Sequence, residues 1–110
     1  MNTRRDPQRR PAHPGEVLRE IVLPALGMTQ TEFAALLDVS RLSVSELLHE
    51  KRALSPEMAV RIATVLNTSP ESWLRMQEAV NLWEIRQQPA RLAAVKPLSK
   101  SRLADMAEVA

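Results

Sequence analysis

The sequence predicts an all-α protein, a compact bundle of five short helices. Three observations predict it. Among 110 residues there are only two glycines, two tryptophans and one phenylalanine, whereas helix-favouring Ala, Leu, Glu and Arg are common. Apolar residues recur at spacings of three and four. Two Ser-Pro-Glu segments are typical of helix starts. This length suits one domain with a single core.

The first helix is predicted over about residues 14–23. Pro14 fits its first turn, Pro24 is expected to limit it, and Gly27 suits a left-handed stop. The residues expected to face inward are Val17, Leu18, Ile21 and Val22.

Good N-cap residues precede the second and third helices. Thr29 caps the second, which should run to about Leu37, and Ser40 caps the third, which should run to about His49. The residues expected inward are Phe33, Leu36 and Leu37, then Val44, Leu47 and Leu48.

The fourth and fifth helices share a start signal, Ser55-Pro56 and Ser69-Pro70, and Pro89 should end the fifth. The fourth should bury Met58, Ile62, Val65 and Leu66. The fifth has a stripe spaced three, four and three apart, for which core packing is the favoured interpretation and a dimer seam the alternative: Trp73, Met76, Val80 and Trp83. Leu74, Leu82 and Ile85 make a neighbouring face apolar, so one side can pack on the bundle while another meets a partner.

Charge and composition narrow the function classes. The net charge of +2 conceals a net +3 in residues 1–14 and +2 in residues 89–110, and these basic ends allow a polyanionic partner. Cysteine is absent, which excludes disulfides and thiolate metal sites and suits the cytoplasm. No apolar run approaches the roughly 20 residues that span a bilayer. We therefore expect a cytoplasmic protein without membrane contact.

The two ends are predicted to differ from the central domain, residues 13–88. Residues 1–12 have no helical periodicity and two prolines, which indicates a flexible basic arm. Residues 89–110 are predicted to form a C-terminal extension that contacts a second copy of the chain or another protein. This extension is either an extended arm to Pro97 followed by a short helix from Ser99, or largely disordered.

The second and third helices fit a helix-turn-helix at about residues 29–49. In that motif the first helix crosses the DNA backbone and the second lies in the major groove, so the two meet at a steep angle. Ala34 is small enough for the crossing. Asp38 stands at the turn, where glycine is common, and tolerates a left-handed conformation.

The side chains on the outward side of the third helix are mostly short and polar, which lets this side approach the base edges of DNA. Arg41 can donate to guanine, Leu42 can contact a thymine methyl, Ser43 and Ser45 can bond to either type of base, and Glu46 can accept from cytosine or lie at the rim. The remaining predicted DNA contacts lie around this helix: Gln30, Ser40, His49, Lys51 and Arg52. A polar helix face is often only a solvated face. Here, however, it occurs together with the turn, with a small residue where the helices cross and with two basic residues directly after the helix, and this combination favours DNA binding.

Catalysis is disfavoured, and we expect no enzyme, cofactor or metal. Asp38, Ser45 and His49 can be named as a triad, but no Gly-rich nucleophile turn accompanies them. His13 and His49 lie far apart, with neither cysteine nor an HExxH pattern to complete a zinc site.

The chain resembles the HigA-type antitoxins within the Xre/Cro-like helix-turn-helix group over about residues 13–86. The resemblance rests on "HPGEVLREIVLPALGMTQTEFAALLDVSR" and "EKRALSPEMAVRIATVLNTSPESWLRMQEAVNLW". It implies a lambda-repressor-like bundle and a homodimer that binds a palindromic operator and represses its own operon. It also implies a partner, a HigB-type, RelE-like toxin that cleaves mRNA, and the C-terminal extension, residues 89–110, is then expected to contact either the dimer partner or this toxin. A stand-alone Xre-family regulator without a toxin is the alternative.

Overall fold

Residues 8–109 are described by the structure, a computed structural model, and this range contains six helices and no strand. They are α1 (residues 14–26), α2 (Gln30–Leu37), α3 (Arg41–Leu48), α4 (Pro56–Leu66), α5 (Pro70–Arg86) and α6 (Lys100–Val109). A 3-10 turn, Pro89–Leu92, lies between α5 and α6. The predicted all-α class is confirmed. Within residues 8–109 no helix is both long and apolar enough to cross a membrane.

α1 is a continuous helix interrupted by a π-helical turn. Pro14–Val17 and Leu23–Leu26 are α-helical, and the π turn Leu18–Val22 lies between them. The prediction that Pro24 limits this helix is wrong, because the wide π turn just before Pro24 gives its ring room and accommodates its missing N–H. Gly27 ends the helix in a left-handed conformation, φ 59°, as predicted.

The other four bundle helices begin where their N-caps predict. The side-chain oxygens of Thr29, Ser40, Ser55 and Ser69 each accept the backbone N–H three residues later. The C-terminal segment has a helix preceded by Ser99, whose hydroxyl accepts from the Arg102 N–H at 3.3 Å. Of the two alternatives for this segment, the short helix is the one found.

The core lies between the five helices α1 to α5, each of which contributes buried apolar side chains. The apolar core side chains that are at most 1% exposed are Leu18, Phe33, Val44, Leu47, Leu48, Ala59, Ile62 and Val80. Met58 is buried, and Val17, Val22, Val65 and Leu66 pack partly buried against this core. One apolar cluster therefore joins the helix-turn-helix to the rest of the bundle.

Two side chains predicted to face inward are instead exposed. Ile21 is 62% exposed because the π turn adds a residue, so that Leu23, five positions after Leu18, takes the inward place. Leu36 is 55% exposed, since Phe33, Ala34 and Leu37 already fill the inward side of α2. Both predictions were wrong.

The stripe on α5 divides between core and margin. Trp73 and Val80 lie in the core, and Met76 packs against it. The Trp73 indole N–H donates to the Thr68 hydroxyl at 2.8 Å. Trp83 is partly exposed, and its buried Nε1 has no hydrogen-bond partner among the described residues.

The described end of the predicted basic arm is docked on the bundle. Arg10 forms an ion pair with Glu50 at 2.8 Å, and Pro11 is buried. Residues 1–7 of that arm lie outside the described range.

Candidate nucleic-acid interface

The turn between α2 and α3 is a three-residue link whose first residue is left-handed. Asp38 has φ 57° and ψ 48°, and its N–H donates to the Ala35 carbonyl oxygen at 3.2 Å. The Val39 N–H donates to the Ala34 carbonyl oxygen at 3.1 Å, which completes the C-terminal cap of α2. Asp38 therefore takes the conformation that the sequence assigned to it, where glycine is more usual.

α3 turns three apolar side chains into the core and the remainder toward solvent. Val44, Leu47 and Leu48 are each 1% exposed, and Ala34 of α2 is 3% exposed beneath the turn. The structure leaves Ser40, Arg41, Leu42, His49, Lys51 and Arg52 exposed, with Ser43, Ser45 and Glu46 partly exposed. Nine of the ten predicted contact residues thus lie together along one side of α3 and its two ends.

The polar groups of this side are partly engaged with one another. The Ser40 hydroxyl accepts the Ser43 N–H at 3.0 Å, and the two hydroxyls lie 2.9 Å apart. His49 Nδ1 lies 2.8 Å from the Ser45 carbonyl oxygen. Because a carbonyl only accepts, Nδ1 carries the proton, and Nε2 is the acceptor of the neutral ring.

The acidic residue of α3 is paired with one of the basic residues that follow it. An Arg52 nitrogen lies 3.5 Å from a Glu46 carboxylate oxygen. Lys51 forms no ion pair with any residue in the described range. The pairing tempers the negative charge of Glu46 on a face proposed to meet phosphates, and it occupies Arg52.

Gln30, the tenth residue, lies at the N-terminus of α2 and not on α3. It is partly buried and lines an open groove of about 470 Å³ together with Arg19, Met28 and Leu48. No described hydrogen bond connects it to Arg41.

Two arginines outside the helix-turn-helix bind the C-terminal ends of its helices, and no local sequence pattern predicts either contact. Arg61 of α4 donates to the Leu37 carbonyl oxygen at 2.8 Å and to the Asp38 carbonyl oxygen at 3.3 Å. Arg19 of α1 donates to the Leu48 carbonyl oxygen at the end of α3. Both guanidinium groups satisfy orphan carbonyls and face the negative end of a helix dipole.

The "HPGE" segment fixes α1 against the C-terminal end of α3. His13 Nδ1 accepts the Gly15 N–H at 2.9 Å and so caps α1. A Cβ on Gly15 would lie 1.9 Å from the Leu47 carbonyl oxygen, so only glycine permits this approach. Burial lowers the pKa of His13 below 6.5, which keeps the ring neutral and able to accept.

Glu50, in the left-handed conformation just after α3, joins this region electrostatically. Its carboxylate lies 2.8 Å from Arg10 and 3.6 Å from Arg19. Burial alone would raise the pKa of Glu50, but the hydrogen bond from Arg10 and the charges of Arg10 and Arg19 together lower it. The charged carboxylate therefore links the basic arm, α1 and the end of α3.

Comparison with known proteins places this fold in a family. A family model described as helix-turn-helix matches residues 18–73, slightly more than half of the chain. The chain is 44% identical over 77 residues to the uncharacterized HTH-type transcriptional regulator YbaQ of Escherichia coli, covering 70% of this chain and 68% of YbaQ. It is 37% identical over 97 residues to antitoxin HigA-1 of Vibrio cholerae, covering 86% and 90% of the two chains.

Among solved structures, antitoxin GraA superposes with a TM-score of 0.77 at 36% identity, covering 82% of this chain and 99% of GraA. GraA has also been solved in complex with its operator. The chain therefore belongs to the helix-turn-helix family, in the group that includes the HigA antitoxins.

Proposed function

We propose that this protein is a sequence-specific DNA-binding transcriptional repressor that acts as the antitoxin of a type II toxin-antitoxin module. The observation that carries the proposal is the exposed polar side of α3, which starts at the capped N-terminus of that helix and ends at Lys51 and Arg52. A helix with a buried apolar side and a slim polar side fits the major groove.

In this proposal the residues of α3 divide into base readers and phosphate binders. Arg41 donates to guanine, and Leu42, 67% exposed, contacts a thymine methyl. Ser40 at the N-terminus of α3 and Lys51 after its end contact the sugar-phosphate backbone. A homodimer on a palindromic operator would hold its two α3 helices about 34 Å apart, one turn of DNA.

The antitoxin role is supported by the relatives. HigA-1 and GraA are named antitoxins, and each covers most of this chain. We infer that the partner is a HigB-type, RelE-like mRNA-cleaving toxin, and that the complex represses its own operon in the cytoplasm. The chain itself acts by binding, without catalysis, metal or cofactor.

A stand-alone regulator without a toxin is the second candidate. YbaQ, at 44% identity, is named a transcriptional regulator and not an antitoxin. Both candidates need the same DNA contacts, so they differ only in the protein partner.

Operator binding is tested with Arg41→Ala on the promoter upstream of the protein's own gene. We expect a loss of about 1–3 kcal/mol in binding free energy, confined to particular base pairs. The matched control is Lys96→Ala, which removes one positive charge from an exposed residue far along the chain from α3. Equal losses for both variants would mean that Arg41 supplies only charge, and an unchanged footprint would remove it from the reading set.

The protein partner is tested by co-expression with the product of the adjacent gene. Co-purification of a short toxin, and relief of its growth arrest by this protein, are the expected results. Growth arrest that this protein leaves untouched, with operator binding intact, would favour the stand-alone regulator.

A further inference from the structure

The helix α6 and the segment before it have no cover within the structure. Every side chain described from residue 84 to residue 108 is exposed, including Leu103 at 43% and Met106 at 66%. α6 has ten residues, and isolated helices shorter than about 12–15 residues are marginal in water. A stable α6 therefore needs a surface on which to bury its apolar side.

The apolar side of α6 is bordered by positive charge. Leu103 and Met106 are three residues apart and so share one side of the helix. Lys100 lies three residues before Leu103, and Arg102 lies four before Met106, so both border that side. From residue 89 to residue 102 the chain carries four basic residues and no acidic one.

α5 exposes a side of the opposite character. Leu82 and Ile85 are 40% and 44% exposed, and they share the outward side of the helix with Glu71 and Glu78. Neither of these glutamates forms an ion pair with a residue in the described range. Exposed Arg75 lies between the two glutamates on the same side, so the outward side of α5 carries a net charge of −1 toward its N-terminus and is apolar toward its C-terminus.

The two sides match when the helices run parallel. From Glu78 to Ile85 is seven residues, or about 10.5 Å at 1.5 Å per residue, and from Lys100 to Met106 is six residues, or about 9 Å. Parallel packing sets Lys100 beside Glu78 and Met106 beside Ile85. Antiparallel packing would set the basic residues of α6 against the apolar residues of α5.

We propose that α6 of one protomer packs in parallel on the outward side of α5 of a second copy of this chain, so that the homodimer exchanges its C-terminal arms. Charge complementarity and the apolar pairing select this occupant. DNA would satisfy the basic residues of α6 but not Leu103 and Met106. In the structure α6 does not cover its own α5, because Leu82 and Ile85 remain exposed.

The test uses engineered disulfides in the full-length chain, which has no cysteine of its own. Ile85→Cys protein is mixed with Met106→Cys protein and oxidised. A disulfide requires Cα atoms within about 7 Å, so a heterodimeric band on a non-reducing gel is expected only if α6 reaches the α5 of another chain. Glu108→Cys, two residues on and on the other side of α6, is the control and should give less than a tenth of that yield.

A second measurement tests the register. Glu78→Lys should weaken dimerisation several-fold in analytical ultracentrifugation, and Lys100→Glu in the same chain should restore it. Circular dichroism of each variant at high concentration checks folding, since all these positions are exposed.

Each remaining outcome overturns the proposal. A disulfide found only within single chains carrying both Ile85→Cys and Met106→Cys would assign α6 to its own α5. Equal yields from the Glu108→Cys control, or no cross-link at all, would exclude the parallel packing. If the Met106→Cys thiol is protected from a thiol-labelling reagent only when toxin or operator DNA is added, α6 binds that ligand and not a second copy. The proposal rests on the homodimer of the proposed function, and operator footprinting of the same variants separates the two: intact operator binding without the disulfide refutes the arm exchange alone.

Discussion

The guanidinium group of Arg61 donates to the carbonyl oxygen of Leu37 at 2.8 Å, which ties α4 to the end of α2. Arg61 and Leu37 are 24 residues apart in sequence, and the bond between them lies where the chain turns toward α3. The angle at which α3 leaves the bundle therefore depends on a residue outside the helix-turn-helix. Arg61 also pairs with Glu57 at 3.2 Å, one helical turn earlier.

Replacing Arg61 with alanine should lower the free energy of unfolding by about 1–2 kcal/mol, because the carbonyl oxygens of Leu37 and Asp38 lose a charged donor. Glu57→Gln is the matched control, since it removes only the ion pair, and Glu57 is 81% exposed, so a loss of less than about 0.5 kcal/mol is expected. Urea denaturation measures both. Equal losses in the two variants would show that the bonds to Leu37 and Asp38 contribute nothing.

The helix starts and the turn were predictable because their determinants lie within a few residues of one another. Ser40 and the N–H of Ser43 are three residues apart, and Asp38 needs only its own backbone conformation. A sequence pattern therefore contains all the information on which these features depend.

The features missed depend on packing between distant segments. Arg61 and Arg19 meet carbonyl oxygens 24 and 29 residues away, and nothing local to either arginine signals this. The exposure of Ile21 follows from a π turn, which adds one residue to the regular spacing of an α-helix. The predicted contact residues nevertheless lie largely together, since the alternation of buried and exposed positions along α3 is local. Whether they bind DNA remains a prediction.

Gly15 should tolerate no side chain, because α1 meets the backbone of α3 there. Gly15→Ala would set a Cβ 1.9 Å from the Leu47 carbonyl oxygen, and we expect a loss of about 3 kcal/mol or failure to fold. Gly27→Ala is the control: no atom lies within 4 Å of its Cβ, and only the left-handed strain at φ 59° remains, about 1 kcal/mol. Thermal or urea unfolding of the two variants gives the comparison. A Gly15 variant as stable as the Gly27 variant would mean that the helices separate at little cost.

The Glu46 carboxylate should restrain binding to phosphates. In Glu46→Gln the negative charge is lost and Arg52, now 3.5 Å from that carboxylate, is released toward DNA. We expect tighter binding to non-specific DNA and a steeper salt dependence, by about one unit in the slope of log K against log salt. Asp105→Asn changes the net charge equally at an exposed position of α6 and should leave the slope unchanged.

The opposite result for Glu46→Gln is equally informative. Weaker operator binding, with discrimination lost at one base pair, would identify Glu46 as a reader of cytosine and contradict a purely repulsive role. Fluorescence anisotropy with operator and scrambled DNA at several salt concentrations distinguishes the two.

His13 should make stability depend on pH below neutrality. Burial lowers the pKa of the folded His13 below 6.5, although the nearby Glu50 charge opposes the shift. The unfolded chain therefore takes up a proton near pH 6.5, whereas the folded chain does so only at lower pH, and protonation in between favours unfolding. The free energy of unfolding should be constant above about pH 7. It should fall by up to about 1.4 kcal/mol per pH unit as the pH drops from 6.5 toward the folded pKa.

His13→Asn isolates this contribution, because asparagine keeps an oxygen that can accept the Gly15 N–H but does not titrate in this range. The free energy of unfolding is measured with urea from pH 7.5 to pH 5. Its dependence on pH should disappear in His13→Asn and remain in His49→Gln, which removes the exposed histidine at the end of α3. The pH range in which His13 affects stability is separate from that of Glu50, whose lowered pKa affects stability only below about pH 4.5. If the free energy of unfolding of His13→Asn keeps the same slope against pH, a group other than His13 causes the pH dependence.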